Sequence, residues 1–88
     1  MQVQIRLFGA FRNLCKEPLI TISLSGDRCS HNELKAALGD FLAPTSSSFD
    51  VKGLLAVTAI ADENRIMNVD EPILDGMRLA VLPPVNGG

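Results

Sequence analysis

Eighty-eight residues suffice for one domain, which at this size buries only roughly 60–65% of its unfolded surface. With 47% apolar and 20% charged residues the chain folds, yet its core has little room for an internal catalytic cavity, so function is expected on the surface or at an end. A net charge of −2, with eight Lys and Arg scattered along the chain, argues against a nucleic-acid partner, which would need a basic footprint.

The opening Met1-Gln-Val-Gln-Ile-Arg lacks the charged start and apolar run of a signal peptide. The longest apolar stretch, residues 54–61, is too short to span a bilayer. A cytoplasmic protein without membrane contact is expected. Cys15, Cys29 and His31 have no metal-ligand spacing, so reduced thiols and no metal site are predicted.

Val3, Ile5 and Leu7 alternate with Gln2, Gln4 and Arg6, the period-2 pattern of a half-buried strand that Gly9 ends. Ile20, Ile22 and Leu24 repeat the pattern, and the two strands predict an opening antiparallel pair. Ser30-His31-Asn32-Glu33 fits a capping box. Leu34, Ala37, Leu38, Phe41 and Leu42 follow at helical spacing, and Pro44 bars continuation. Thr45-Ser46-Ser47-Ser48 reads as a flexible connection. Residues 54–60 are β-rich and nearly all apolar, which predicts a central strand. Asp62-Glu63-Asn64 predicts a turn, 65–68 a short edge strand, Asp75-Gly76 a turn, and 77–82 the last strand.

The order β-β-α-β-β-β predicts an α+β domain over residues 1–82, a mixed sheet packed against one main helix. The ubiquitin-like β-grasp uses this order at this length. Its first and last strands are central parallel neighbours, so the C-terminus would leave the sheet unobstructed. If Val3, Ile5 and Leu7 face the helix, Phe8 faces away, and in the last strand Ala80 and Leu82 face away from Leu79 and Val81. Ile66 joins this surface if its parity matches. Apolar residues facing solvent around the tail root would mark a partner site; alternatively, Phe8 folds back over the sheet edge.

Residues 83–88, PPVNGG, are expected to form an extended, flexible tail. Pro83 and Pro84 fix φ and favour a polyproline-like path, and six residues reach roughly 20 Å at full extension. Val85 offers one apolar anchor. Gly87 and Gly88, lacking Cβ, let the backbone pass through a channel too narrow for side chains. The Gly88 carboxylate is a poor acyl donor until adenylation by ATP makes it electrophilic, after which a sulfur nucleophile can give a thiocarboxylate. That chemistry belongs in another protein's active site, because this chain has no phosphate loop and no nucleophile–base constellation.

Residues 74–88, LDGMRLAVLPPVNGG, resemble the C-terminal region of molybdopterin synthase small subunits, the MoaD branch of the MoaD/ThiS sulfur carriers. The opening VQIRLFGAFRNL is similar to the family's first strand and following turn, with Arg12 at the matching position. Two departures stand out: Met77 where the family usually has Asp after the DG turn, and a longer loop at 61–65. The resemblance implies a carrier, itself without an active site, activated at Gly88 by an E1-like adenylyltransferase that uses ATP and Mg and loaded by a sulfur-donor enzyme, with no cofactor of its own. Gly87, Val85, Pro83 and Pro84 would thread into the large synthase subunit, and sulfur would pass to the molybdopterin dithiolene within a heterotetramer. Phe8, Leu82 and Ile66 would form the partner-binding surface. A carrier for another pathway, such as thiamine thiazole synthesis, and a ubiquitin-like modifier joined to lysines both remain open, as does a binding module that uses the apolar patch without tail chemistry.

Overall fold

A computed structural model of the chain describes residues 1–13, 15, 17–43 and 50–84. Strand β1 (Gln2–Leu7) buries Val3, Ile5 and Leu7 and exposes Gln2, Gln4 and Arg6. A short 3₁₀ turn (Gly9–Asn13) follows. Strand β2 (Leu19–Ser23) then pairs antiparallel with β1, setting Val3 opposite Ile22 and Ile5 opposite Ile20. The two-residue β3 (Arg28–Cys29) leads into helix α1 (His31–Leu42). The predicted capping box starts that helix: Ser30 Oγ accepts from the Glu33 amide at 3.0 Å, and Glu33 Oε1 accepts from the Ser30 amide at 2.9 Å, which satisfies two otherwise orphaned donors.

Helix α2 (Val51–Ala56) precedes β4 (Ala59–Ala61), the short β5 (Ile73–Leu74) and β6 (Arg78–Leu82). The main sheet has the order β2-β1-β6-β4, with β1 and β6 parallel and the other pairings antiparallel. The expected central parallel pair is therefore present. The turn at Asp75-Gly76 sets its register: Gly76 adopts φ +83°, its amide donates to Gln2 O, and Asp75 Oδ1 accepts from the Gln2 amide at 2.7 Å. Val3, Ile5, Leu7, Leu79 and Val81 line the inner face, where they meet Leu34, Leu38 and Leu42 of α1. Each such side chain taken fully out of water contributes roughly 1.5–3 kcal/mol.

Three expectations need correcting. The predicted strand over 54–60 is helical as far as Ala56, and only its end enters β4. Asp50 caps the helix, Oδ1 accepting from the Gly53 amide at 3.0 Å, and Val51 and Leu55 present the buried i, i+4 face. A continuous apolar run carries no period to distinguish the two readings. The predicted edge strand over 65–68 is a single antiparallel bridge between Ala61 and Ile66. Phe41, placed on the apolar helix stripe by spacing, is 46% exposed. The antiparallel β3–β5 pair was not anticipated. The connection at Thr45-Ser46-Ser47-Ser48 lies outside the described residues.

Candidate functional site

Because β6 is central, the chain leaves the sheet at Leu82 between β1 and β4. Directly opposed residues on neighbouring strands share a face, so the pairings Arg6–Leu19, Arg6–Ala80, Ala80–Ala61 and Ala61–Ile66 define one cross-strand row. That row, Leu19–Arg6–Ala80–Ala61–Ile66, spans roughly 19 Å at ordinary strand spacing on the sheet face turned away from the helices. Leu82, opposite Ala59, lies one step further towards the tail and is half-buried. Phe8, 39% exposed, stands beyond Leu7 on the same side, and Ile66 is 59% exposed. Phe8, Leu82 and Ile66 thus lie on one outer surface, as parity suggested for the first two and the bridge settles for the third. Leu19, 42% exposed, belongs there too. The alternation of β2 already pointed it away from Ile20, yet only the register reveals its neighbours.

The root of the tail rests on the turn after β1. Gly9 adopts φ +59°, a conformation that disfavours any side chain, and a Cβ there would lie 2.7 Å from Pro83 Cγ. Phe11, fully buried, anchors this turn from below, and its amide donates to Phe8 O at 3.2 Å. The turn therefore presents Phe8 outward and receives Pro83 on the same piece of backbone. Pro83 is half-buried and Pro84 exposed. Val85, Gly87 and Gly88 lie outside the described residues.

Hydrogen bonds fix the loop that delivers Ile66. Asp62 Oδ1 accepts from the Asn64 and Arg65 amides at 2.8 and 2.9 Å, which together with the Arg65 charge hold its carboxyl below the ordinary value. Arg65 Nη1 and Nη2 donate to the two Glu71 oxygens at 2.7 Å each. On the other side of the sheet, Met77 is half-buried and its Sδ accepts from the Leu74 amide at 3.4 Å, next to the turn that aligns β1 with β6.

Burial, and then the Glu33 carboxylate, push the Cys29 thiol up, which makes it a poor nucleophile at neutral pH. Among the described residues no group of three His, Cys, Asp or Glu side chains could hold a metal ion. No described helix is long and apolar enough to cross a membrane.

No family model matches the chain, and no curated protein does. Solved structures do. SAMP1 from Haloferax volcanii aligns over 100% of both chains with a TM-score of 0.70 at 21% identity. A Pyrococcus furiosus protein described as molybdopterin converting factor, subunit 1, aligns over 96% of this chain and 98% of its own, with a TM-score of 0.68 at 24% identity. These two likenesses establish the fold, the ubiquitin-like β-grasp. A chain in the complex of subunits 1 and 2 of the molybdopterin-converting factor from Helicobacter pylori is 31% identical over 100% of both chains, with a TM-score of 0.60. The chain belongs to the MoaD/ThiS family of ubiquitin-like proteins.

Proposed function

We propose that this protein is the sulfur carrier of molybdopterin formation, working in the cytoplasm. The observation that carries the reading is the exit of the chain from the central strand β6 onto Pro83, at the end of the outer sheet surface that carries the exposed Phe8 and Ile66. A partner that covers the apolar surface would thereby receive the tail in a set direction, and fixing a reacting group in place removes much of the entropic barrier to its reaction. Residues 1–82 act as the handle and 83–88 as the reactive arm. In an E1-like adenylyltransferase, the Gly88 carboxylate attacks the α-phosphorus of ATP held with Mg, pyrophosphate leaves, and an acyl adenylate forms. A sulfide equivalent from a sulfur-donor enzyme then displaces AMP to give the thiocarboxylate.

Threaded through Pro83, Pro84, Val85 and Gly87 into the large subunit of molybdopterin synthase, the tail releases sulfur for the dithiolene. The Helicobacter pylori complex of subunits 1 and 2 supports a large-subunit partner. The test is an intact mass of the protein after incubation with the adenylyltransferase, ATP and sulfur donor, followed by addition of the large subunit and its pterin substrate. Replacement of one oxygen by sulfur, reversed as molybdopterin forms, is the expected result. Lysine-linked conjugates in place of the thiocarboxylate would assign the protein to the modifiers instead. A thiocarboxylate that the large subunit cannot discharge would assign it to another sulfur pathway.

A further inference from the structure

Arg6 and Arg78 both stand on the outer face of the sheet. Arg78 lies opposite Gln4 and Ala80 opposite Arg6, so the two arginines sit two residues apart on adjacent strands, about 8 Å between Cα atoms at ordinary strand dimensions. Both are exposed. The ion pairs among the described residues join Arg28 to Asp27 and Arg65 to Glu71, and neither Arg6 nor Arg78 takes part. Like charges side by side on one sheet face repel each other, and among the described residues no ion pair to either arginine offsets that repulsion.

Both arginines line one groove of about 610 Å³. Phe8 and Leu19 contribute apolar wall, and Asp62 and Glu63 stand at its β4 end. The groove therefore carries positive charge over the middle of the sheet, negative charge at one end and apolar surface beside both. A phosphate backbone would meet the acidic end unfavourably, and the chain as a whole is acidic. A protein surface of mixed charge fits.

We propose that the protein docking on this face presents carboxylates to Arg6 and Arg78 and a cation to Asp62 and Glu63, so that charge selects among partners that the apolar residues alone would accept. Opposed charges raise the encounter rate and penalise wrong partners more than they deepen affinity. The proposal names the chemistry of the surface used in the sulfur-carrier reading, and rests on that reading for the choice of partner to test.

The experiment titrates the full-length protein calorimetrically with the molybdopterin synthase large subunit encoded in the same genome, at low and at high salt. Arg6→Glu and Arg78→Glu should each weaken binding on the order of tenfold at low salt, with a smaller loss at high salt. The neutral pair Arg6→Gln and Arg78→Gln should show an intermediate loss, and Arg6→Lys with Arg78→Lys should retain most of the affinity. Circular dichroism of each variant checks the fold, which exposed positions should leave intact. Unchanged affinity in the Gln and Glu variants, alongside loss in Leu82→Asp, would overturn the charge proposal while leaving the docking face standing. No binding by the wild type would overturn the sulfur-carrier reading and the proposal with it. Binding of single-stranded RNA that Arg6→Glu abolishes would assign the arginines to nucleic acid, which also overturns the proposal.

Discussion

Gly9 and Pro83, far apart in sequence, form the joint between the sheet and the tail: a Cβ on Gly9 would lie 2.7 Å from Pro83 Cγ, and Gly9 itself holds φ +59°. Gly9→Ala meets both obstacles. The left-handed backbone costs a non-glycine residue about 1–2 kcal/mol, and the proline ring must shift in addition. A fall in Tm of about 4–8 °C for each kcal/mol lost is expected at this size. Thermal unfolding measures the first effect, and the amide shifts of residues 80–82 should report displacement of the tail root. An unchanged Tm with unmoved shifts would show that the contact is slack.

Phe11 supports that joint from inside. It is fully buried under the turn that exposes Phe8, so Phe11→Ala should destabilise the protein by about 3–5 kcal/mol, the range for emptying a buried aromatic site. Phe11→Leu should lose much less, because it refills most of the volume. Urea titrations of the three proteins decide the order. A loss below that of an exposed substitution would mean that the turn is held without Phe11.

The Arg65–Glu71 fork gives the stability a pH dependence of known sign. The two guanidinium bonds first, and then the Asn68 amide, hold the Glu71 carboxyl down at about 2 against an ordinary 4.5. A carboxyl depressed by folding binds fewer protons in the folded state. Its stabilisation is complete above 4.5 and is lost as pH falls towards 2. Tm should therefore fall through that window, and Glu71→Gln should flatten the fall. Asp62, depressed in the same direction by its amide donors, leaves part of the slope in the variant. Both groups face solvent, so the effect is modest and shrinks in salt. A variant slope equal to the wild type's would exclude the fork as its source.

The parts of this fold legible in the sequence are those with a period or a local chemical signature. Val3-Ile5-Leu7 and Ile20-Ile22 alternate, and Ser30 with Glu33 forms the box that starts α1, so these elements follow from local rules. Helix α2 is hidden because the apolar run from Leu54 matches strand and helix equally, and its one local signal is a lone Asp50 N-cap. Two-residue strands such as β3 and β5 are too short to carry a pattern. The outer surface was half legible: alternation turns Phe8 and Leu82 outward, but Ile66 joins them only through its bridge to Ala61. The neighbourhood of Arg6 and Arg78 depends on the register between the first and last strands, which no local stretch encodes.

The outer apolar surface should respond to charge. Leu82 is half-buried at the mouth of the tail and Phe8 is exposed beside it. Covering one such side chain contributes roughly 1.5–3 kcal/mol, so Leu82→Asp or Phe8→Asp should weaken binding to both the adenylyltransferase and the large subunit at least tenfold. Unfolding curves must first show each variant folded. Wild-type affinity for both partners in both variants would remove this surface from consideration.

The tail tests the chemistry itself. Deleting Gly88 draws the carboxylate back by about 3.5 Å, further than a reacting group can be displaced and still meet its partner productively. Adding a residue after Gly88 places the wrong group at the reaction centre. Gly87→Val puts a branched side chain where threading requires bare backbone, and because residue 87 lies beyond the last strand, unfolding of the variant should match the wild type. All three variants should bind the adenylyltransferase through the sheet face yet fail to accumulate thiocarboxylate or to support molybdopterin formation. Intact-mass analysis after incubation with ATP and sulfur donor reads the first failure, and product formation with the large subunit reads the second. Sulfur accepted and delivered at the wild-type rate by the Gly88 deletion would end the carrier reading.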